Sequence, residues 1–260
     1  MLKKVVIGIV VLAVIGGGVL FVLDRTMFAP TAVSNAVPTA PTIAAPAQSS
    51  AAQAAPTQAA APTSAPAQTA PTQAAASSAP ASGAQLYNID AAQSEVRYEV
   101  NETFFQGNRL ATAIGRTKGV AGQIQVNFAE PAKSVIGEIV IDISQFQSDE
   151  GRRDNFIRNN GLESAKYPQA TFKTTSIAGL PATVNVGDEV SFTISGDLTV
   201  KQTTKPVTWQ VKLKVTDQGL SGTASTQIKM SDFGVGPIKL AMLATEDDVK
   251  LTFDFVAVKA

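Results

Sequence analysis

A period of two runs through the C-terminal part of this chain and limits its fold more than any motif does. In EVSFTISGDLTV, Val190, Phe192, Ile194, Leu198 and Val200 share one face, opposite Ser191, Thr193, Ser195, Asp197 and Thr199. VTWQVKLKV sets Val207, Trp209, Val211, Leu213 and Val215 against Thr208, Gln210, Lys212 and Lys214. VKLTFDFVAV sets Val249, Leu251, Phe253 and Phe255 against Lys250, Thr252 and Asp254, and SVIGEIVIDI groups Val135, Ile139, Ile141 and Ile143. A helix would scatter these sets around its axis, whereas a strand keeps each on one side. Further strand-like runs cover residues 95–101, 119–128, 170–178 and 220–230. Short connections such as TDQG and NVGDE suit antiparallel hairpins. About eight long strands with one apolar face each fit a sandwich or a barrel, and closure favours the barrel because it leaves no edges. The expected fold is therefore all-β, an eight-stranded antiparallel barrel over residues 86–260. Such a barrel is just wide enough to be filled by side chains or to hold one small ligand. Lys212, Lys214, Glu138 and Asp142 on the polar faces read as a water-facing exterior rather than a lipid-facing one.

Two segments precede this domain. Residues 5–23 are uncharged and apolar apart from glycines, with Lys3 and Lys4 before them. As a helix the stretch would span roughly 28 Å, close to the ~30 Å of a bilayer core. The flanking lysines would keep the N-terminus in the cytoplasm. Residues 1–25 are thus expected to be a single-pass membrane anchor. The rival reading, a cleaved signal peptide, has an apolar core of about 7–15 residues, shorter than this one. Ser34-Asn35-Ala36, which fits a small-x-small cleavage pattern, lies well beyond it. Residues 26–85 are mostly Ala, Pro, Thr, Gln and Ser, with no charge between Arg25 and Asp90 and with APTQAA occurring twice. Such a segment lacks the large side chains needed to offset its ordering entropy, and its prolines stop a helix from propagating. It is expected to be a disordered linker that holds the barrel near the cell membrane on the extracytoplasmic side.

Composition removes most chemistry. The chain has no Cys and no His, so thiolate sites, Ser-His triads and imidazole metal ligands are excluded. Asp142, Asp149, Asp154, Asp232, Asp247 and Asp248 supply carboxylates, yet no spacing among them requires acid–base work. Glu246-Asp247-Asp248 reads as a solvated turn. With 21 Lys+Arg against 21 Asp+Glu and no basic run, nucleic acid is not an expected partner. No catalysis, cofactor or metal is expected, and nothing points to a particular protein partner.

One stretch breaks the alternation: RRDNFIRNNGLESAKYP, in which charges and amides surround Phe156, Ile157 and Leu162. It sits inside the longer match GRRDNFIRNNGLESAKYPQATF. Together with YNIDAAQSEVRYEV before it and SGDLTVKQTTKPVTWQV and FGVGPIKLAMLATEDDVKLTFDFVAVK after it, in that order, the domain resembles the YceI family, the lipid/polyisoprenoid-binding YceI-like domain. The resemblance covers residues 86–260 and neither of the preceding segments. It implies an elongated, lipocalin-like eight-stranded barrel whose apolar tunnel takes an isoprenoid or other long alkyl chain. Many members carry a His near the positions of Asn101 or Glu102 here, and another where this chain has Phe156. The family pattern makes residues 152–167 a short helical excursion, with Ser148 or Asp149 as a cap and Gly161 as a stop. Phe156 and Ile157 would then turn toward the tunnel, with Arg152, Arg153, Asp154 and Arg158 at its rim. Arg152 or Arg153 would meet an anionic head group; alternatively, Arg153 and Asp154 form a structural pair. Alternation adds Ile139, Ile141, Ile143, Phe192, Ile194, Trp209, Val211, Leu213, Phe253 and Phe255 to the interior, with Val135 on the same face. Phe233 and Met242, beside FGVGP, are candidates for the mouth. The expectation is a membrane-tethered binding protein for a long apolar lipid. The alternative is a structural or protein-interaction barrel with a filled core.

Overall fold

The structure, a computed structural model, describes residues 30, 33–43 and 84–260. The expected anchor and most of the expected linker lie outside the described residues. Among the described residues no helix is long and apolar enough to cross a membrane.

The described chain is strand-dominated and antiparallel throughout. Its strands are β1 (Ala84–Ile89), β2 (Glu95–Phe104), β3 (Arg109–Thr117), β4 (Val120–Ala121), β5 (Gln123–Asn127), β6 (Val135–Ile136) and β7 (Ile139–Asp142). After a short helix, α1 (Gly151–Phe156), come β8 (Gln169–Ala178), β9 (Glu189–Val200), β10 (Thr203–Val215), β11 (Gly219–Lys229) and β12 (Leu243–Lys259). From β7 to β12 each strand pairs with the next, β7 with β8 across the α1 excursion and the rest across turns and loops, as in a meander. The long β12 then pairs with β11 on one side, and with both β2 and β1 on the other.

The curl of the sheet comes from one run of chain. β3 pairs with β2, β4 with β7, and β5 with β1, yet a single residue, Gly122, separates β4 from β5. The run bends twice and so joins both ends of the 12-stranded sheet, giving a barrel-like, curled antiparallel sheet. A side chain at residue 122 would collide with the Ile139 side chain, which explains the glycine.

The strand count differs from the expected eight for a physical reason. The run 119–128 is split at Gly122, and 134–143 is split at Gly137-Glu138. That second break shifts the alternation by one, so Val135 points outward, 45% exposed, and Ile136 takes the inner position. β3 escapes a sequence reading because Ala111, Ala113 and Gly115 dilute its alternation, and β1 starts inside the stretch assigned to the linker. Asp142 also departs from expectation. It is buried at the end of β7, accepting from the Ser144 N–H at 2.9 Å and from Gln145 Nε2 at 2.9 Å.

Residues 33–43 belong to the expected free linker but lie against the outside of the sheet. The Ile43 N–H donates to Gln123 Oε1 at 2.8 Å, and Gln145 Nε2 donates to the Ala36 carbonyl at 2.7 Å. Ile43, one of few branched apolar residues in that region, packs over Gly137, where a Cβ would lie 3.1 Å from its Cγ1. The bare glycine surface supplies the contact that composition alone does not reveal.

Candidate functional site

The inner faces of the strands do not meet. They enclose a cavity of about 720 Å³, within the roughly 300–1,000 Å³ usual for ligand sites. Ile139 and Ile141 on β7 and Ile143 just after it face into it, as do Phe192 and Ile194 on β9. Trp209, Val211 and Leu213 on β10 and Phe253 and Phe255 on β12 continue the wall. Phe156, Ile157, Phe233 and Arg152 line its upper part, as does Met242, so of the sequence-derived interior set only Val135 stays outside the cavity. The walls are aromatic in the middle: Trp209 meets the Phe172 ring edge-on, 5.9 Å between centroids. The Trp209 Nε1–H is buried without a hydrogen-bond partner among the described residues. At the end away from α1, Tyr87, Val126, Val184, Val215 and Leu220 pack into a separate apolar cluster.

Charge is confined to the other end. The charged residues lining the cavity are Glu102 and Arg109, from the tips of β2 and β3, and Asp149, Glu150, Arg152 and Arg153, at the start of α1. They mark a polar mouth on an apolar cavity.

The mouth is held by α1 and its neighbours. Glu150 caps the helix, its carboxylate accepting from the Arg152 N–H at 3.1 Å, where Ser148 or Asp149 was expected. The helix continues as a wider turn over Ile157–Gly161. Arg153 and Asp154 are not a pair. Arg153 Nε and Nη2 donate to the two carboxylate oxygens of buried Glu102, both at 3.2 Å, and Nη1 donates to Asp149 at 2.6 Å. Asp154 is buried and accepts instead from the Ser148 N–H at 2.9 Å and the Ser148 hydroxyl at 2.6 Å. Arg158, expected at the rim, is buried as well, with Nη1 donating to the Phe146 carbonyl at 2.7 Å. Arg152 alone of this group remains exposed at the opening, and among the described residues no carboxylate pairs with its guanidinium. Arg109 lies over the Phe104 ring, 4.4 Å from its centroid.

These contacts set the local proton affinities. The Arg153 hydrogen bond, reinforced by its charge, holds the Asp149 carboxyl below its ordinary value. Burial acts to lower Arg153, but its bonds to Asp149 and Glu102 prevail and raise it. Below them the Tyr98 phenol is pushed up to about 12, first by burial and then by the Asp154 carboxylate.

Sequence reasoning had placed Glu102 only beside the family's His position. The signal lay in β2, whose inner set is Val96, Tyr98, Val100, Glu102 and Phe104. A carboxylate at the fourth place of an apolar alternation needs a cationic partner, but the sequence does not say which of several arginines supplies it; it comes from α1, 51 residues further on.

Comparison with known proteins agrees with this architecture. The sequence profile of the family described as "YceI-like domain" matches residues 87–257. Protein YceI of Escherichia coli O157:H7 is 33% identical over 128 residues, 46% of this chain and 62% of that protein. Protein YceI of Salmonella arizonae is 33% identical over 104 residues, 37% of this chain and 50% of its own length. The chain thus spans between half and just under two thirds of the length of these relatives. Among solved structures, BcnA of Burkholderia cenocepacia superposes with a TM-score of 0.52 at 25% identity, over 65% of this chain and 99% of that one. A polyisoprenoid binding domain from Saccharophagus degradans shares the fold, with a TM-score of 0.50 at 17% identity over 67% and 98%. The profile match covers well over half of the sequence and includes every strand from β2 to β11, and on that ground the chain belongs to the YceI-like domain family.

Proposed function

We propose that this protein is a membrane-tethered, extracytoplasmic carrier that holds one isoprenoid or other long apolar chain lengthwise in the cavity and does no chemistry on it. One observation carries the reading: an apolar cavity of about 720 Å³ whose charged lining residues all stand at one end. That polarity suits an amphiphile. Its hydrocarbon chain would replace water along Ile139, Ile141, Phe192, Trp209 and Phe253, a gain of roughly 25 cal/mol per Å² of apolar surface covered. Its head group would stay at the mouth near Arg152, whose planar guanidinium suits phosphate or carboxylate. Kinship with a solved polyisoprenoid binding domain supports the same ligand class. A filled structural core, the competing reading, is at odds with an empty volume of this size. The anchor at residues 1–25 would place the domain at the source of such a lipid.

The only tryptophan of the chain stands in the cavity wall and reports on it. Full-length protein stripped of lipid and titrated with a polyprenyl phosphate should show a saturable change in Trp209 emission. Native mass spectrometry should find one bound molecule per chain. Unchanged emission together with a ligand-free mass, for polyprenyl phosphate, quinone and fatty acid alike, would sink the proposal.

A further inference from the structure

Three large apolar side chains stand exposed at the mouth: Phe105 at 56%, Leu110 at 76% and Met242 at 66%. Phe105 and Leu110 flank the β2–β3 turn, Met242 precedes β12, and the Phe105 N–H donates to the Met242 carbonyl at 2.9 Å, tying the two loops together. Single exposed apolar residues are ordinary on a soluble surface. Three on one rim, around the opening of an apolar cavity, mark an interaction surface. The exposed cations Arg109, Arg152 and Lys239 stand among them. Of the nearby exposed carboxylates, Asp149 is already bound by Arg153 and Glu150 caps α1.

The path of the N-terminal chain says what such a surface meets. Val33 and Ser34 share a surface recess with Arg116 and Gln147, part-way down the outside from the mouth, while Ile43 lies further down at Gln123. The docked segment therefore starts on the side nearer the mouth. Only residues 24–32 separate it from the apolar stretch at residues 5–23. Fully extended, that connection reaches about 30 Å at ~3.4 Å per residue. Along β3, Arg116 is about 24 Å from Arg109 at the rim, again at ~3.4 Å per residue. The reach is enough to bring the rim to a membrane that holds the apolar stretch.

We propose that this rim is a membrane-docking edge. Phe105, Leu110 and Met242 enter the acyl boundary of a bilayer, Arg109, Arg152 and Lys239 meet its phosphates, and the cavity opens onto the lipid phase. The inference rests on the lipid-cargo and anchor readings above. It adds that cargo moves between bilayer and cavity without crossing water.

Because the chain has no cysteine, Leu110→Cys, Met242→Cys and Val186→Cys each create a unique labelling site. Val186, 57% exposed, is the control at the opposite end. Each labelled full-length protein is inserted in vesicles of phosphatidylethanolamine and phosphatidylglycerol carrying spin-labelled acyl chains. The fluorophores at 110 and 242 should be quenched and blue-shifted, and the one at 186 should not. Equal quenching at all three sites, or none, overturns the proposal. A Phe105→Ser/Leu110→Ser protein, which leaves the cavity lining intact, should take up polyprenyl phosphate from detergent micelles like the parent. It should extract that lipid from vesicles roughly tenfold more slowly, since interfacial binding scales with buried apolar area. Extraction at the parent's rate also overturns it. Quenched tips with a cavity that loads no lipid would leave the docking standing and remove the cargo. Loading from micelles with unquenched tips would remove the docking alone.

Discussion

Tyr98 shows how strongly the interior of this protein acts on a single group. Its ring packs edge-on against Phe146, 5.2 Å between centroids, and lies so close to Gly115 that any side chain there would strike it. Burial and the neighbouring Asp154 push the phenol up to about 12, against an ordinary value near 10. A raised folded-state value leaves stability whole below the unfolded value and removes it as pH rises through the folded one. Between pH ~10 and about 12 the parent protein should therefore lose stability relative to Tyr98→Phe, while below pH ~10 the gap between them stays constant. Chemical denaturation of both proteins across that window checks the sign. A gap that is flat throughout would mean the phenol is not held neutral by the fold.

At the scale of elements, the mouth depends on how α1 is fastened to β2. The helix is one short turn-and-a-half and would not persist alone. It is fixed by the two-pronged bond from Arg153 to Glu102 and by Asp154 closing over Ser148. The pair is largely shielded from water, so removing one partner strands a buried charge. Glu102→Ala and Arg153→Ala should each destabilise by about 3–5 kcal/mol. Replacing both with apolar residues of similar size should recover most of that loss. A double-mutant cycle by urea denaturation measures it, and two small, additive effects would show that the helix is held by packing instead. The strands themselves were legible from sequence because β9, β10 and β12 alternate over many residues. β3 was not, because alanines and glycine remove the contrast on which a period of two depends. The helix partners were not legible either, since Arg153 and Glu102 are 51 residues apart and meet only across the curl.

At the scale of the molecule, the bent run β3–β4–β5 curls the meander into a barrel-like sheet, and residues 33–43 brace it from outside. Ile43 has its side chain over Gly137 and its N–H on Gln123. Ile43→Asp should release this segment and cost about 1–2 kcal/mol from lost apolar burial. Limited proteolysis should then cut within residues 33–43 of the variant and spare them in the parent. Identical digestion patterns would show that the segment contributes no protection.

Sequence alone determined the all-β class, the side of each long strand that turns inward and the residues that share the interior. The physical reason is that pleating sends successive side chains to opposite faces wherever the chain is extended. Tertiary structure alone decided whether that interior is filled or open. It also decided the phase of β6, the partners of Glu102 and the ordering of residues 33–43. Those depend on volumes and contacts between segments far apart in the chain, and a local period carries no record of them.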